Sequence, residues 1–299
     1  MMALFAVQTF NVLFYAAVLF LISAGLSLIY GVMGIVNFAH GALFAVGAYA
    51  TAWLAASLLG SDLGSWFGAF TVLLVVPLGA CCVAALGACI EVVLLRPLYR
   101  RSDEYHLLLT FGLLMVIEDG IKMVFGGVPL SGDKLVGAFG SFSIGNFRYP
   151  IYNLVVVLVG GAAAILLWAL VARTKFGVML RAVSQNRRMA SALGVNVGRF
   201  YMQAFALGCF MAGLGGGLIV PTQAASLGMG MDALLLAFVV VVIGGLGSLE
   251  GALVGSLIVS AMRTAAIQFF PEIELGALYM IAIAVLLARP TGLFGGAAK

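Results

Sequence analysis

Charge is what this sequence has least of. Asp, Glu, Lys and Arg make up 9% of its 299 residues, and the first of them is Asp62. A soluble globular domain carries about 25% charge, whereas 64% of the residues here are hydrophobic. So much apolar surface cannot be hidden in a single water-soluble core, so the chain reads as polytopic in a membrane. No basic n-region precedes the first apolar run, which is therefore expected as a retained span rather than a cleaved signal peptide. Histidine occurs only at His40 and His106. No Ser/His/Asp set, metal constellation or dinucleotide loop accompanies them. The pattern G-x-x-x-x-G-K-[ST] is absent, so the chain does not bind ATP through a P-loop. Cys81, Cys82, Cys89 and Cys209 lie inside apolar runs at spacings that fit no zinc site. They are expected as buried small hydrophobes. These absences leave a transport or channel function ahead of an enzyme, with no cofactor and no metal.

What is present is a series of apolar runs, each near the length of about 20 residues that a membrane span needs. They cover 10–30, 41–59, 66–95, 107–125, 151–172, 200–221, 232–246, 251–270 and 276–289. Because 232–246 is short, the expected fold is all-α with eight to nine transmembrane helices in one domain over 1–299. Positive charge gathers after the third run at Arg96, Arg100 and Arg101, then over 173–199, and finally at Arg289 and Lys299. Placing these groups in the cytoplasm puts the N-terminus outside and the C-terminus inside.

The densest basic stretch holds Arg173, Lys175, Arg181, Arg187, Arg188 and Arg199, with no Asp or Glu among them. Within it Asn186 suits a helix N-cap and Gly194 a C-terminal stop. The segment 186–194 is therefore expected as a short helix with Met189, Ala192 and Leu193 on one face. So few helical residues are marginal alone in water. Lipid headgroups or a groove in a soluble protein would each support them. Aromatics are not interleaved with the basic residues, which gives no basis for a nucleic-acid platform.

The largest loop without a basic cluster, 126–150, is expected to be external, either a docking surface or a structured connector. Two glycine-rich stretches are alike: Gly34-Ile-Val-Asn-Phe-Ala-His-Gly-Ala-Leu and Gly244-Gly-Leu-Gly-Ser-Leu-Glu-Gly-Ala-Leu. They suggest a parallel internal repeat in which the first three spans echo the last three. Irregular backbone at membrane depth survives only where protein or water satisfies it, so the first stretch lines a cavity or packs a tight elbow. His40 there reads first as a hydrogen-bonded structural residue. Gly247, Gly251 and Gly255 favour close helix packing, and Glu250 is a costly carboxylate at a span boundary. Asn37, His40, Gly41, Glu250 and Gly251 are the candidates for a solute path. Glu118, Asp119 and Lys122 are spaced to pair on one helix face; a proton relay there would instead make the chain a self-sufficient, ion-coupled transporter.

The stretch Tyr30-Gly-Val-Met-Gly-Ile-Val-Asn-Phe-Ala-His-Gly-Ala-Leu-Phe-Ala-Val-Gly-Ala-Tyr49 resembles the signature of LivH-type permeases, the membrane subunits of bacterial ABC importers for branched-chain amino acids. Thr110-Phe-Gly-Leu, Arg173-Thr-Lys-Phe-Gly-Val-Met-Leu-Arg-Ala-Val with Ala190-Ser-Ala-Leu-Gly-Val-Asn, and Gly244-Gly-Leu-Gly-Ser-Leu-Glu-Gly-Ala are similar to three further stretches of that family. The resemblance extends over about residues 10–294. It implies that 186–194 is a coupling helix, with Arg181, Asn186, Arg187, Arg188, Met189, Leu193 and Gly194 at the ATPase contact. It also implies a second permease subunit, two ATP-binding subunits and an external solute-binding protein as partners, in the bacterial inner membrane with lipid around it. The chain has Ala42 where many relatives place an acidic residue, and related permeases carry urea, short amides or other amino acids, so the solute stays open.

Overall fold

The computed structural model describes residues 2–59, 64–99, 101–132, 139–145, 147–269 and 271–295. Asp62, Arg100 and Lys299, and parts of the 126–150 loop, lie outside them. Among these residues are eleven α-helices and one β-hairpin. The helices are α1 (Met2–Met33), α2 (Ala39–Leu59), α3 (Gly64–Ile90), α4 (Asp103–Phe125), α5 (Ile151–Arg173), α6 (Lys175–Gln185), α7 (Arg187–Ala192), α8 (Val197–Ile219), α9 (Met229–Gly244), α10 (Leu249–Phe269) and α11 (Glu274–Ala288). Six of them, α1, α2, α3, α5, α8 and α10, are long and apolar enough to cross a membrane. In α4 Glu118, Asp119 and Lys122 interrupt the apolar run, and α9 and α11 have 16 and 15 residues.

The architecture is mostly helical, as expected, with one addition: β1 (Ser141–Ile144) and β2 (Phe147–Pro150), an antiparallel pair in the register Phe142↔Tyr149. Ser-Phe-Ser-Ile alternates with the period of a strand, and Gly145 at φ +61° opens the turn. The hairpin exists because Phe142 and Tyr149 close on Phe10 of α1, with ring centroids 6.3 and 5.6 Å away. A lone hairpin needs such packing to persist.

Helix α1 is the axis of the molecule. From Phe14 to Ile29 nearly every side chain is buried, on all faces. In a bilayer apolar surface alone does not drive helices together; close approach of backbones does. Small residues permit it here. Ala17 receives Gly160 of α5, and Gly25 receives Gly208 of α8. Helix α8 then carries Gly213, Gly215, Gly216 and Gly217 against α1, α2 and α3. Polar groups add a few directed bonds: the Tyr152 hydroxyl donates to the Leu218 carbonyl at 2.7 Å, and Ser260 donates to Val12 at 2.7 Å. The outer helices turn Leu74, Leu108, Val116, Leu158, Ile165 and Leu287 outward, the apolar coat a lipid-facing surface requires.

Three of the cysteines depart from expectation: Cys81, Cys82 and Cys89 are exposed on the outer face of α3, and only Cys209 is buried. Apolar sequence in a membrane protein does not distinguish lipid from core, which is why the neighbouring residues could not place them. The Glu118–Lys122 pairing is also absent. Among the described residues the ion pairs are Glu91–Arg96 and Glu274–Arg263. Lys122 is exposed.

The two ends of the bundle differ in chemistry. One holds the hairpin, the start of α1 and the end of α10, where Gln8 meets Gln268. The other gathers Arg96, whose Nη2 donates to the Gly198 carbonyl at 3.4 Å, with α6, α7 and the last residues, whose Leu293 amide donates to the Ile243 carbonyl at 2.9 Å. All three basic groups that the described residues include thus lie at one end.

Candidate functional site

The first glycine-rich break is an elbow inside the protein. Helix α1 stops at Met33, Gly34 takes φ +71°, and the chain runs back without helical structure to Phe38. Asn37 then caps α2, its Oδ1 accepting from the Ala39 amide at 3.1 Å. The His40 Nε2 lies 3.0 Å from the Ile22 carbonyl. A carbonyl only accepts, so Nε2 carries the proton. Ile22 precedes the end of α1 by eleven residues, so α2 begins about 16 Å inside that end at 1.5 Å per residue. Asn37 and His40 are buried, and Asn37 Nδ2 and His40 Nδ1 have no partner. A Cβ on Gly41 would lie 2.2 Å from the Gly230 carbonyl oxygen and 2.7 Å from Leu234 Cβ. Glycine is required there because α9 begins against the same point. Two helix N-termini, of α2 and α9, therefore start in the protein interior side by side, with α2 running toward the hairpin end and α9 toward the basic end.

The second break, in the glycine-rich stretch Gly244–Gly255, is a tight turn over 245–248 at the basic end. Gly245 and Gly247 have positive φ, Ser248 Oγ accepts from the Gly251 amide at 2.9 Å, and Gly251 packs on the Gly244 carbonyl. Gly247 touches Gly31, so the two similar stretches meet in space. Glu250 is exposed and lines a cavity of about 310 Å³ with Arg181, Ser184, Ser248 and Ser27. The five path candidates are thus divided: Asn37, His40 and Gly41 build the elbow, Glu250 stands in the basic-end cavity, and Gly251 belongs to the α9–α10 seam.

Two adjoining cavities near the hairpin end, of about 320 and 460 Å³, contain none of the five. They share Tyr15, Ile219, Gln223 and Arg263. Arg263 Nε donates to Glu274 at 2.6 Å, its guanidinium lies 5.1 Å from the Tyr15 ring centre, and Asp232 stands in the wall of the smaller cavity. Sequence reasoning missed this group. The signal was there: single charges at 232 and 263 within apolar runs are expensive in a membrane and mark function by default.

At the basic end α6 and α7 form the exposed segment. The expected helix over 186–194 is observed as Arg187–Ala192 with Asn186 and Gly194 as its stops. Asn186 Oδ1 accepts from the Met189 amide at 3.0 Å. Gly194, at φ +84°, and Val195 donate to Ser191 and Ala190, closing a Schellman motif. Ala190 points inward, whereas Arg187, Arg188, Met189 (59% exposed) and Leu193 (78% exposed) point out. The preceding α6 went unforeseen. Its N-cap is Thr174, its inner face is Leu180 and Val183, and Arg181 reaches back to the Val171 carbonyl. Phe176 of α6 stacks on Phe200 of α8 at 5.9 Å.

A second unforeseen group joins α3 to α8. A π-turn over Glu91–Leu95 ends α3 and buries Glu91 completely. Arg96 Nη2 donates to Glu91 at 3.0 Å and to Gly198, while the Tyr99 hydroxyl donates to the same carboxylate. Burial first, then the Glu91 carboxylate, push the Tyr99 hydroxyl well above its ordinary pKa, so it stays a donor. π-turns of this kind collect at functional sites. Among the described residues no three His, Cys, Asp or Glu side chains are placed to hold a metal ion.

Comparison with known proteins gives a consistent picture. A family model described as "Branched-chain amino acid transport system / permease component" matches residues 8–288. The high-affinity branched-chain amino acid transport permease LivH of Salmonella typhimurium is 29% identical, with 97% of this chain and 96% of that protein covered. BraD of Pseudomonas aeruginosa is 26% identical over 92% of this chain and 91% of its own length. A probable LivH of Methanocaldococcus jannaschii is 28% identical over 94% and 90%.

Proposed function

Because the chain belongs to the branched-chain amino-acid transport permease family, we propose that it is the membrane subunit of an ABC importer. It moves branched-chain or related amino acids into the cytoplasm and depends on separate ATPase chains. Its partners are a second permease of the same family, two ATP-binding subunits and an external solute-binding protein. It sits in the plasma membrane with the hairpin end outside and the basic end in the cytoplasm, the orientation that the positive-inside rule favours.

The observation that carries this reading is α7. Capped at both ends by its own residues, this helix exposes Met189 and Leu193 beside Arg187 and Arg188. Apolar side chains displayed on a pre-ordered helix suit insertion into a groove of another protein. Movement of α7 passes to α6, through the Phe176–Phe200 stack to α8, and through Arg96 and Glu91 to α3. Asn37, His40 and Gly41 hold the elbow about which α2 changes its tilt, and Glu250 with Gly251 forms the cytoplasmic mouth of the path.

Gly194→Pro and Met189→Asp test the coupling. Proline cannot adopt the +84° φ of Gly194, and an aspartate on the docking face opposes burial. Both variants are expected to lose most ATP-driven uptake in proteoliposomes of the assembled importer, while remaining in the membrane. Normal uptake in both, or transport by the lone chain without ATP, overturns the reading.

A further inference from the structure

We infer that the paired cavities at the hairpin end form a seat for one zwitterionic amino acid inside this subunit, with Arg263 taking the carboxylate and Asp232 the ammonium group. This rests on the reading of the chain as an amino-acid importer and narrows it, because urea and short neutral amides have no use for two opposed charges.

Four observations converge. First, the two cavities are continuous in their walls, sharing Tyr15, Gln223 and Arg263, and the smaller, at about 320 Å³, lies at the low end of the ~300–1,000 Å³ typical of ligand pockets. It holds a single small solute. Second, Arg263 is held but not used up. Among the described residues its Nε alone is hydrogen-bonded, to Glu274, and the Tyr15 ring braces the guanidinium from its face. The Nη1 and Nη2 edge stays free for the two-pronged grip that guanidinium makes on a carboxylate. Third, Asp232 has no ion-pair partner among the described residues although it lines the same space. In the adjoining cavity Asn153 Oδ1 and Thr264 Oγ1 are buried without a hydrogen-bond partner. Buried acceptors of that kind normally find a donor, so the larger cavity offers a polar approach to the seat. Fourth, Val18, Leu19, Ile22 and Phe44 close the smaller cavity with apolar surface, which suits an aliphatic side chain. Ile22 also accepts from His40, so the inner wall of the seat is the outer surface of the elbow.

The test uses the assembled importer in proteoliposomes with radiolabelled leucine as the probe. The variants are Asp232→Asn and the double variant Arg263→Gln with Glu274→Gln, which removes the Arg263 charge without stranding its partner. Each is expected to raise the leucine concentration for half-maximal uptake at least tenfold, with a smaller change in maximal rate. Asp232→Glu is expected to restore a large part of the loss, which a purely structural role would not predict. Co-purification of the ATPase chains reports folding. If wild type carries leucine and both folded variants keep its half-maximal concentration, the seat is wrong and the importer reading stands. If wild type carries urea or acetamide but no amino acid, the seat falls together with the proposed solute.

Discussion

The two glycine-rich breaks are alike letter for letter at Gly34/Gly244, Gly41/Gly251 and Ala42/Ala252, yet one lies deep and the other shallow. After Gly34 the chain runs back alongside α1 and starts α2 level with Ile22; after Gly244 it turns at once and starts α10 at the basic end. His40 and Glu250 occupy matching letters, but His40 is fully buried against a helix carbonyl and Glu250 is exposed. What decides the difference is what lies opposite. The first break is enclosed by the start of α9 and the glycine face of α8, and a neutral imidazole with one good bond tolerates that enclosure. A carboxylate without a partner would not. A shared pattern therefore specifies a break in the helix and leaves its depth to its neighbours.

The largest effect that sharpens this comparison is expected at Gly41. Gly41→Val places a branched side chain where even a Cβ would meet the Gly230 backbone at 2.2 Å. Neither backbone can yield, so the folded subunit should be lost from membranes, as seen by detergent-resistant monodisperse protein on size exclusion. His40→Ala comes next. It removes a buried side chain and its bond to Ile22, and losses of that kind amount to about 2–4 kcal/mol; a clear fall in the melting temperature of the purified complex is expected. The smallest effect belongs to Glu250→Gln, which keeps the shape of an exposed side chain. Its melting temperature should match wild type. Equal destabilisation at His40 and Glu250 would break the comparison and make the two breaks structurally equivalent.

Much of the architecture was legible because it is local. The caps Asn186 and Gly194, the basic stretch 173–199 and the longer apolar runs each depend on a few consecutive residues, and the helices and turns observed there follow them. The hairpin was missed because Phe142 and Tyr149 become a strand pair only when Phe10 packs on them, more than a hundred residues away in sequence. The same holds for the candidate site. Asn37 and His40 stood out by type and spacing, but the cavity that reaches Ile22, the partner of His40, is lined by Asp232, Arg263 and Glu274 from α9, α10 and α11. The pairing of Arg263 with Glu274 spans a helix break, and that of Glu91 with Arg96 depends on a π-turn. The cysteines of α3 show the opposite limit, since lipid-facing and core-facing apolar residues read alike.

By itself the sequence determined a chain that must live in a bilayer, which end carries positive charge, and where a short capped helix stands out from it. These follow from composition, from charge and from hydrogen bonds within one turn. Only the tertiary structure decided how deep α2 begins, which charges face a common cavity and which apolar faces meet other helices. Those outcomes depend on glycines such as Gly41, Gly208 and Gly216 letting distant backbones touch, and a contact of that kind has no signature within a single stretch of chain.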